Sequence, residues 1–89
     1  MTQEEATDKA RKDLAKRLNV DESQVSEGSS TEENFPDMAL GAAASGEMSG
    51  QMITKGWKIQ LKASGQTYEY RADKNQLRLF KFKGKNYKI

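Results

Sequence analysis

Three features of this 89-residue chain predict an α+β fold, with one N-terminal helix packed on a three- to four-stranded antiparallel meander. Residues 2–19 read as a capped amphipathic helix. Residues 57–63 and 67–72 alternate apolar and polar side chains on either side of Ser64-Gly65. Between these two regions lies a long stretch rich in Gly, Ala, Ser and Met, residues 34–57, which is poor in charge although the chain as a whole is 31% charged. The expected layout is a single domain, 1–89, with a helix at about 3–18, a loop at about 34–55 and a meander at about 56–89.

The helix comes first. Thr2 is placed as N-cap and Glu5 stands three residues on, the spacing of a capping box. Acidic residues fill the first turn and Lys16 and Arg17 the last, matching the helix dipole. Ala6, Ala10, Leu14 and Leu18 recur every four residues as a thin apolar stripe, so the helix needs a sheet to lie on. Asn19 suits a left-handed C-cap. Asp21 then caps one short turn before an extended stretch around residues 25–30.

The meander follows from period-two alternation. Trp57, Ile59, Leu61 and Ala63 share one face, and pairing across Ser64-Gly65 sets Leu61 opposite Tyr68, Ile59 opposite Tyr70 and Trp57 opposite Ala72. A one-residue slip would destroy both faces. Asp73-Lys74-Asn75-Gln76 turns the chain, and Leu77 and Leu79 continue the apolar face in a third strand. Phe80 and Phe82 change phase against Lys81 and Lys83, which indicates a bulge or a shared edge. Lys83-Gly84-Lys85 turns again before a short last strand, Asn86-Tyr87-Lys88-Ile89. Trp57 is expected to be largely buried between helix and sheet.

Composition bounds function. The chain has no Cys and no His, which removes thiol nucleophiles, the commonest general base and the usual zinc ligands. The pairs Glu4-Glu5, Asp21-Glu22 and Glu32-Glu33 read as caps and solvated surface. GAAASG lacks the lysine and the strand-to-helix context of a phosphate loop. No metal or cofactor is expected, and no enzymatic activity. No apolar run reaches the length of a membrane span. The acidic start MTQEEATDKA is not a signal peptide. The expected location is extracytoplasmic, periplasmic or secreted, if a leader was removed before this start, and cytoplasmic otherwise.

Charge is split along the chain. Residues 1–50 hold 5 basic and 11 acidic side chains and residues 51–89 hold 10 and 2, so a net charge of +2 divides into −6 and +8. The two parts attract if they pack together. Lys58, Lys62, Arg71 and Arg78 point away from the expected core face, near Phe80, Phe82 and Tyr87. Basic residues interleaved with aromatics on a sheet are one way to hold single-stranded nucleic acid. The same pattern also describes an ordinary solvated face, and +2 is a weak net charge for a nucleic-acid binder.

From about residue 10 to 80, and most densely from Phe35 to Leu79, the sequence resembles small extracytoplasmic bacterial domains, common in cyanobacteria, with a pattern close to W-P-x-x-C-L-G-x-x-x-P-G-x-x-C, then G-W or G-Y, a strand, and Y-R-T-D before L-R-L. Phe35-Pro36-Asp37 stands at W-P-x, Leu40-Gly41 at L-G, Gly46-Glu47 before the second Cys, Gly56-Trp57 at G-W, and Tyr70-Arg71-Ala72-Asp73 at Y-R-T-D. Ala39 and Ser49 occupy the two Cys positions, where the resemblance implies a disulfide. The layout is more distantly similar to PepSY-type domains, which are thought to restrain proteases. The resemblance implies a signature loop at 34–55 and a non-enzymatic binding or inhibitory module of the bacterial envelope. Long loops without regular structure are usually functional or disordered. Phe35, Met38, Leu40, Met48, Met52 and Ile53 either tuck under the loop and extend a small core or present an adaptable apolar contact to a protein partner, for which Met38, Leu40, Met48 and Met52 are the candidates. The alternative is nucleic-acid or acidic-polymer binding through the basic sheet face.

Overall fold

The computed structural model describes residues Met1–Ile89. Helix α1 (Gln3–Leu18) lies on one face of a five-stranded antiparallel sheet of β1 (Ser26–Phe35), β2 (Thr54–Ala63), β3 (Gln66–Ala72), β4 (Leu77–Phe82) and β5 (Lys85–Lys88), in spatial order β1-β2-β3-β4-β5. The α+β class and the meander are as the sequence predicts. So is the capping box: the Glu5 amide donates to Thr2 Oγ1 at 3.2 Å and the Thr2 amide donates to Glu5 Oε1 at 2.8 Å. That bond from the Thr2 amide, with the one from its side chain, holds the Glu5 carboxyl below its ordinary range. Asn19 ends the helix in the left-handed region, φ 56°.

The register of the central hairpin follows the alternation. Trp57 faces Ala72, Ile59 faces Tyr70 and Leu61 faces Tyr68. Ser64 and Gly65 both have positive φ, 52° and 76°, as a two-residue hairpin turn requires. Leu79 pairs with Tyr70 and Leu77 with Ala72, which extends the same face into β4. The phase change near Phe80 is an irregularity in the β4–β5 pairing between Leu79 and Phe82, with Lys81 at φ 49°. Under α1, residues Ala6, Ala10, Leu14, Val25, Ile59, Leu61, Tyr70, Ala72 and Leu79 are buried in one apolar cluster. The Tyr70 hydroxyl donates to Asp13 Oδ2 at 2.7 Å, and Arg17 Nε donates to the same oxygen at 2.8 Å. Burial, then the Asp13 carboxylate, raises the Tyr70 hydroxyl well above the usual tyrosine value.

Two expectations need correction. The sheet has five strands, because the stretch expected at 25–30 runs on as β1 to Phe35. SEGSSTEENF has no apolar alternation to mark a strand. It is an edge held by backbone pairing to β2, with a register shift between Glu27 and Ser29. The loop is correspondingly shorter, 36–53. Trp57 packs against the apolar cluster as expected, although it is not fully enclosed. It sits at the end of the sheet near the helix N-terminus, and its cross-strand neighbour on β1 is the exposed Glu32.

Candidate functional site

The loop 36–53 does not project from the domain. Its first part folds back across the face of the sheet opposite α1. Asp37 organises the entry: its Oδ1 accepts from the amides of Ala39 at 2.9 Å and Gly41 at 3.0 Å, and Leu40 then turns through φ 60°. The turn drives Leu40 inward. Phe35, Ala39, Leu40 and Ala42 are all buried in this second layer, apart from the cluster under the helix. Gly56 permits the close packing, since a Cβ there would run into the Ala72 carbonyl and the Phe35 ring.

Two arginines of the sheet hold the loop down. Arg71 Nη1 donates to the Leu40 carbonyl at 2.9 Å and its Nε to Glu69 Oε2 at 2.6 Å. Its guanidinium lies 3.6 Å from the Phe80 ring centroid and 5.2 Å from that of Phe35, a cation–π contact on both sides. Arg78 grips Glu47 with two bonds, Nη1 to Oε1 at 2.5 Å and Nη2 to Oε2 at 2.8 Å, and its Nη1 also reaches the Ala42 carbonyl at 3.4 Å. Only 3% of Arg78 is exposed. The Arg78 hydrogen bonds, with a second bond from the Ala44 amide, pull the Glu47 carboxyl down to about 2. Asn86 Nδ2 donates to Ala43 O at 3.0 Å and Gln76 Nε2 to Met38 O at 2.8 Å.

The expected basic face is therefore occupied. Arg71 and Arg78 point away from the helix as predicted, but they bind the loop rather than solvent, because the loop supplies carbonyls and a carboxylate exactly over them. Lys58 lies 3.8 Å from Glu33, and Lys62 is exposed. Leu40 is corrected in the same way: it is fully buried and offers no contact surface. The other three candidates are exposed, Met38 by 50%, Met52 by 63% and Met48 by 96%, and Ile53 joins them at 74%.

Met38 and Met52 come together, and Met48 stands apart. With Ile53 and Trp57 they line a groove of about 780 Å³ whose far wall is the 73–76 turn between β3 and β4. The wall is rigid. Asp73 Oδ1 accepts from the amides of Asn75 at 2.7 Å and Gln76 at 3.0 Å, and its Oδ2 accepts from Gln76 Nε2 at 3.0 Å. Gln76 in turn holds Met38, whose amide donates to Gly50 O at 2.9 Å. Sequence reasoning counts Ile53 among the loop's apolar side chains without placing it among the contacts, and leaves Trp57 and the turn out of the site. The adjacent apolar pair Met52-Ile53 just before a strand was the available signal.

Ala39 and Ser49 also meet. The Ala39 amide donates to Ser49 Oγ at 3.0 Å. Through standard bond lengths, that contact keeps their Cα atoms within about 7 Å. The loop thus has a hydrogen bond where the resemblance implies a disulfide.

The arrangement suits binding of apolar groups. Its carboxylates act as caps and tethers, no three acidic groups come together as metal ligands, and no helix is long and apolar enough to cross a membrane. No curated protein and no solved structure matches the chain. One family model does match, over residues 7–80, and on that span the chain belongs to the family described as a domain of unknown function, DUF8738.

Proposed function

We infer that this domain is a non-enzymatic binding module that takes an apolar anchor of a protein partner into the groove between Met38, Met52, Ile53 and the 73–76 turn. The observation that carries this reading is the convergence of three large apolar side chains, each at least half exposed, with a half-buried Trp57 on one concavity. Exposed apolar side chains gathered beside rigid polar walls are how partner sites are built. Methionine adapts its shape to the side chain that enters. The loop geometry adds support, since the tethers from Arg71, Arg78 and Gln76 fix the loop before any partner arrives, which lowers the ordering cost of binding.

An envelope location and an inhibitory role remain part of this proposal, resting on the resemblance to extracytoplasmic and PepSY-type domains. The alternative, a polyanion on the basic face, has Lys62 as the one cation of its four without an internal partner.

The test is a methyl-labelled methionine spectrum titrated with peptides that carry one or two large apolar anchors. The Met38 and Met52 methyl signals should shift and saturate while Met48 stays still. Met52→Asp combined with Ile53→Asp should remove the shift at Met38. Equal movement of all three methionines, or of none, would sink the reading.

A further inference from the structure

The two open edges of the sheet carry opposite charge. Strand β1 is one edge and β5 is the other, and neither has a strand on its outer side. Ser26–Phe35 contains Glu27, Glu32 and Glu33 and no basic residue. Beside it, Glu4 and Asp8 of the helix share a polar cleft of about 560 Å³ with Glu27. At the other edge, residues 77–88 contain Arg78, Lys81, Lys83, Lys85 and Lys88 and no acidic residue. Arg78 is buried on Glu47, and the four lysines are exposed and form no ion pair within the chain.

We propose that β1 of one copy docks against the β4–β5 hairpin of the next, so that the domain associates head to tail through its sheet edges. An exposed edge is a template for another strand. Natural edges are usually blunted by lysines, by bulges or by being short. Here β5 is short and lysine-rich, while β1 runs for 10 residues without lysine or proline, and its one irregularity lies near its start, between Glu27 and Ser29. Like charges oppose a two-fold contact: β1 against β1 sets Glu against Glu, and hairpin against hairpin sets Lys against Lys. Only the unlike pairing brings complementary charge together.

Topology fits this arrangement. β1 and β5 are the first and fifth strands of an all-antiparallel sheet, so they run in the same direction, and a copy shifted sideways along the sheet lays its β5 parallel to β1. Four residues of β5 allow only a short ladder, so charge supplies much of the attraction. Two consequences follow. Association is weak and is screened by salt. It is also heterologous, so it does not close at a dimer.

The test is sedimentation of the purified chain at about 1 mM protein, in about 20 mM and about 500 mM salt. Average mass should climb with concentration at low salt without levelling at a dimer, and should return to monomer at high salt. The paired variants Glu27→Lys/Glu32→Lys and Lys83→Glu/Lys85→Glu should each stay monomeric at low salt with an unchanged circular-dichroism spectrum. Mixed in equal amounts, the acidic β1 of the second variant meets the basic hairpin of the first, so average mass should rise again at low salt; a mixture that stays monomeric overturns the proposal. A wild-type chain that stays monomeric at low salt, or that levels at a dimer, overturns the proposal. So does a charge-reversed variant that associates as the wild type does. The wild-type salt series decides the matter alone if a variant fails to fold.

Discussion

On the helix side of the sheet, Leu14, Ile59, Leu61, Tyr70 and Leu79 are fully buried, and nearly everything they touch is apolar. On the loop side the buried set is Phe35, Ala39, Leu40 and Ala42, and beside it lie Arg71, Arg78 and Glu47. The first layer is held by area removed from water, a force that ignores direction. The second adds directed bonds from guanidinium groups to particular carbonyls, which ties it to one loop conformation. The comparison teaches that the arginines of a basic sheet can be structural, since they replace the apolar surface that a Gly- and Ala-rich loop cannot supply.

The sharpest way to break the comparison is to cut the same side chain from both layers. Leu61→Ala, under the helix, should cost about 3–5 kcal/mol and lower the whole unfolding transition. Leu40→Ala, under the loop, should cost about 2–3 kcal/mol. Its cavity lies beneath a segment that can lift, so proteolysis within 38–50 should speed up more than global unfolding does. Denaturant melts and limited digestion of both variants check this. Equal digestion rates in the two variants would remove the distinction between the layers.

The next effect is on pH. Glu47 titrates near 2 in the folded chain, against an ordinary value of 4.5. A depressed carboxyl stabilises the fold fully above its unfolded value, and that contribution fades as pH falls through the folded one. The wild type should therefore lose about 1–3 kcal/mol between pH 4.5 and 2 from this group, after allowance for partial solvent screening. Glu47→Gln should show a flatter stability profile in that window and a lower plateau at neutral pH. A Glu47→Gln profile parallel to the wild type would mean that Arg78 does not depend on this carboxylate.

The smallest expected effect sharpens the account of the loop. Ala39→Cys with Ser49→Cys should close a bond under oxidising conditions and add about 1–2 kcal/mol, because the hydrogen bond between these positions already brings them within reach. A free-thiol count on the oxidised protein decides it. Two titratable thiols would show that the loop does not hold the two positions together.

The helix-side layer was legible because its signals are periodic. Alternation from Trp57 to Ala72 set both the register and the face, and Thr2 with Glu5 marked the helix start. β1 was half-read, because a polar edge strand keeps its place by backbone pairing and leaves no apolar alternation in SEGSSTEENF. The loop-side layer is legible in part: Phe35 and Leu40 read as apolar side chains that can tuck under the loop, and both are buried there. Its clamp is not legible, because Arg71 and Leu40 stand 31 positions apart and meet through a carbonyl, and a carbonyl has no signature in sequence. The candidate groove was read in part. Met38 and Met52 stand out in the sequence as contacts and are exposed, whereas Leu40 is turned inward by its left-handed backbone.

Amide hydrogen exchange of the loop, in the wild type and in Arg78→Gln, tests the central claim most directly. The amides of Met38, Leu40 and Ala42 each donate within the loop. If the arginines clamp the loop, these amides should exchange about 100-fold or more slowly than in an unstructured peptide. They should lose most of that protection in Arg78→Gln while Ile59 and Tyr70 keep theirs. Loop amides that exchange freely in the wild type, or that keep their protection in Arg78→Gln, would contradict it.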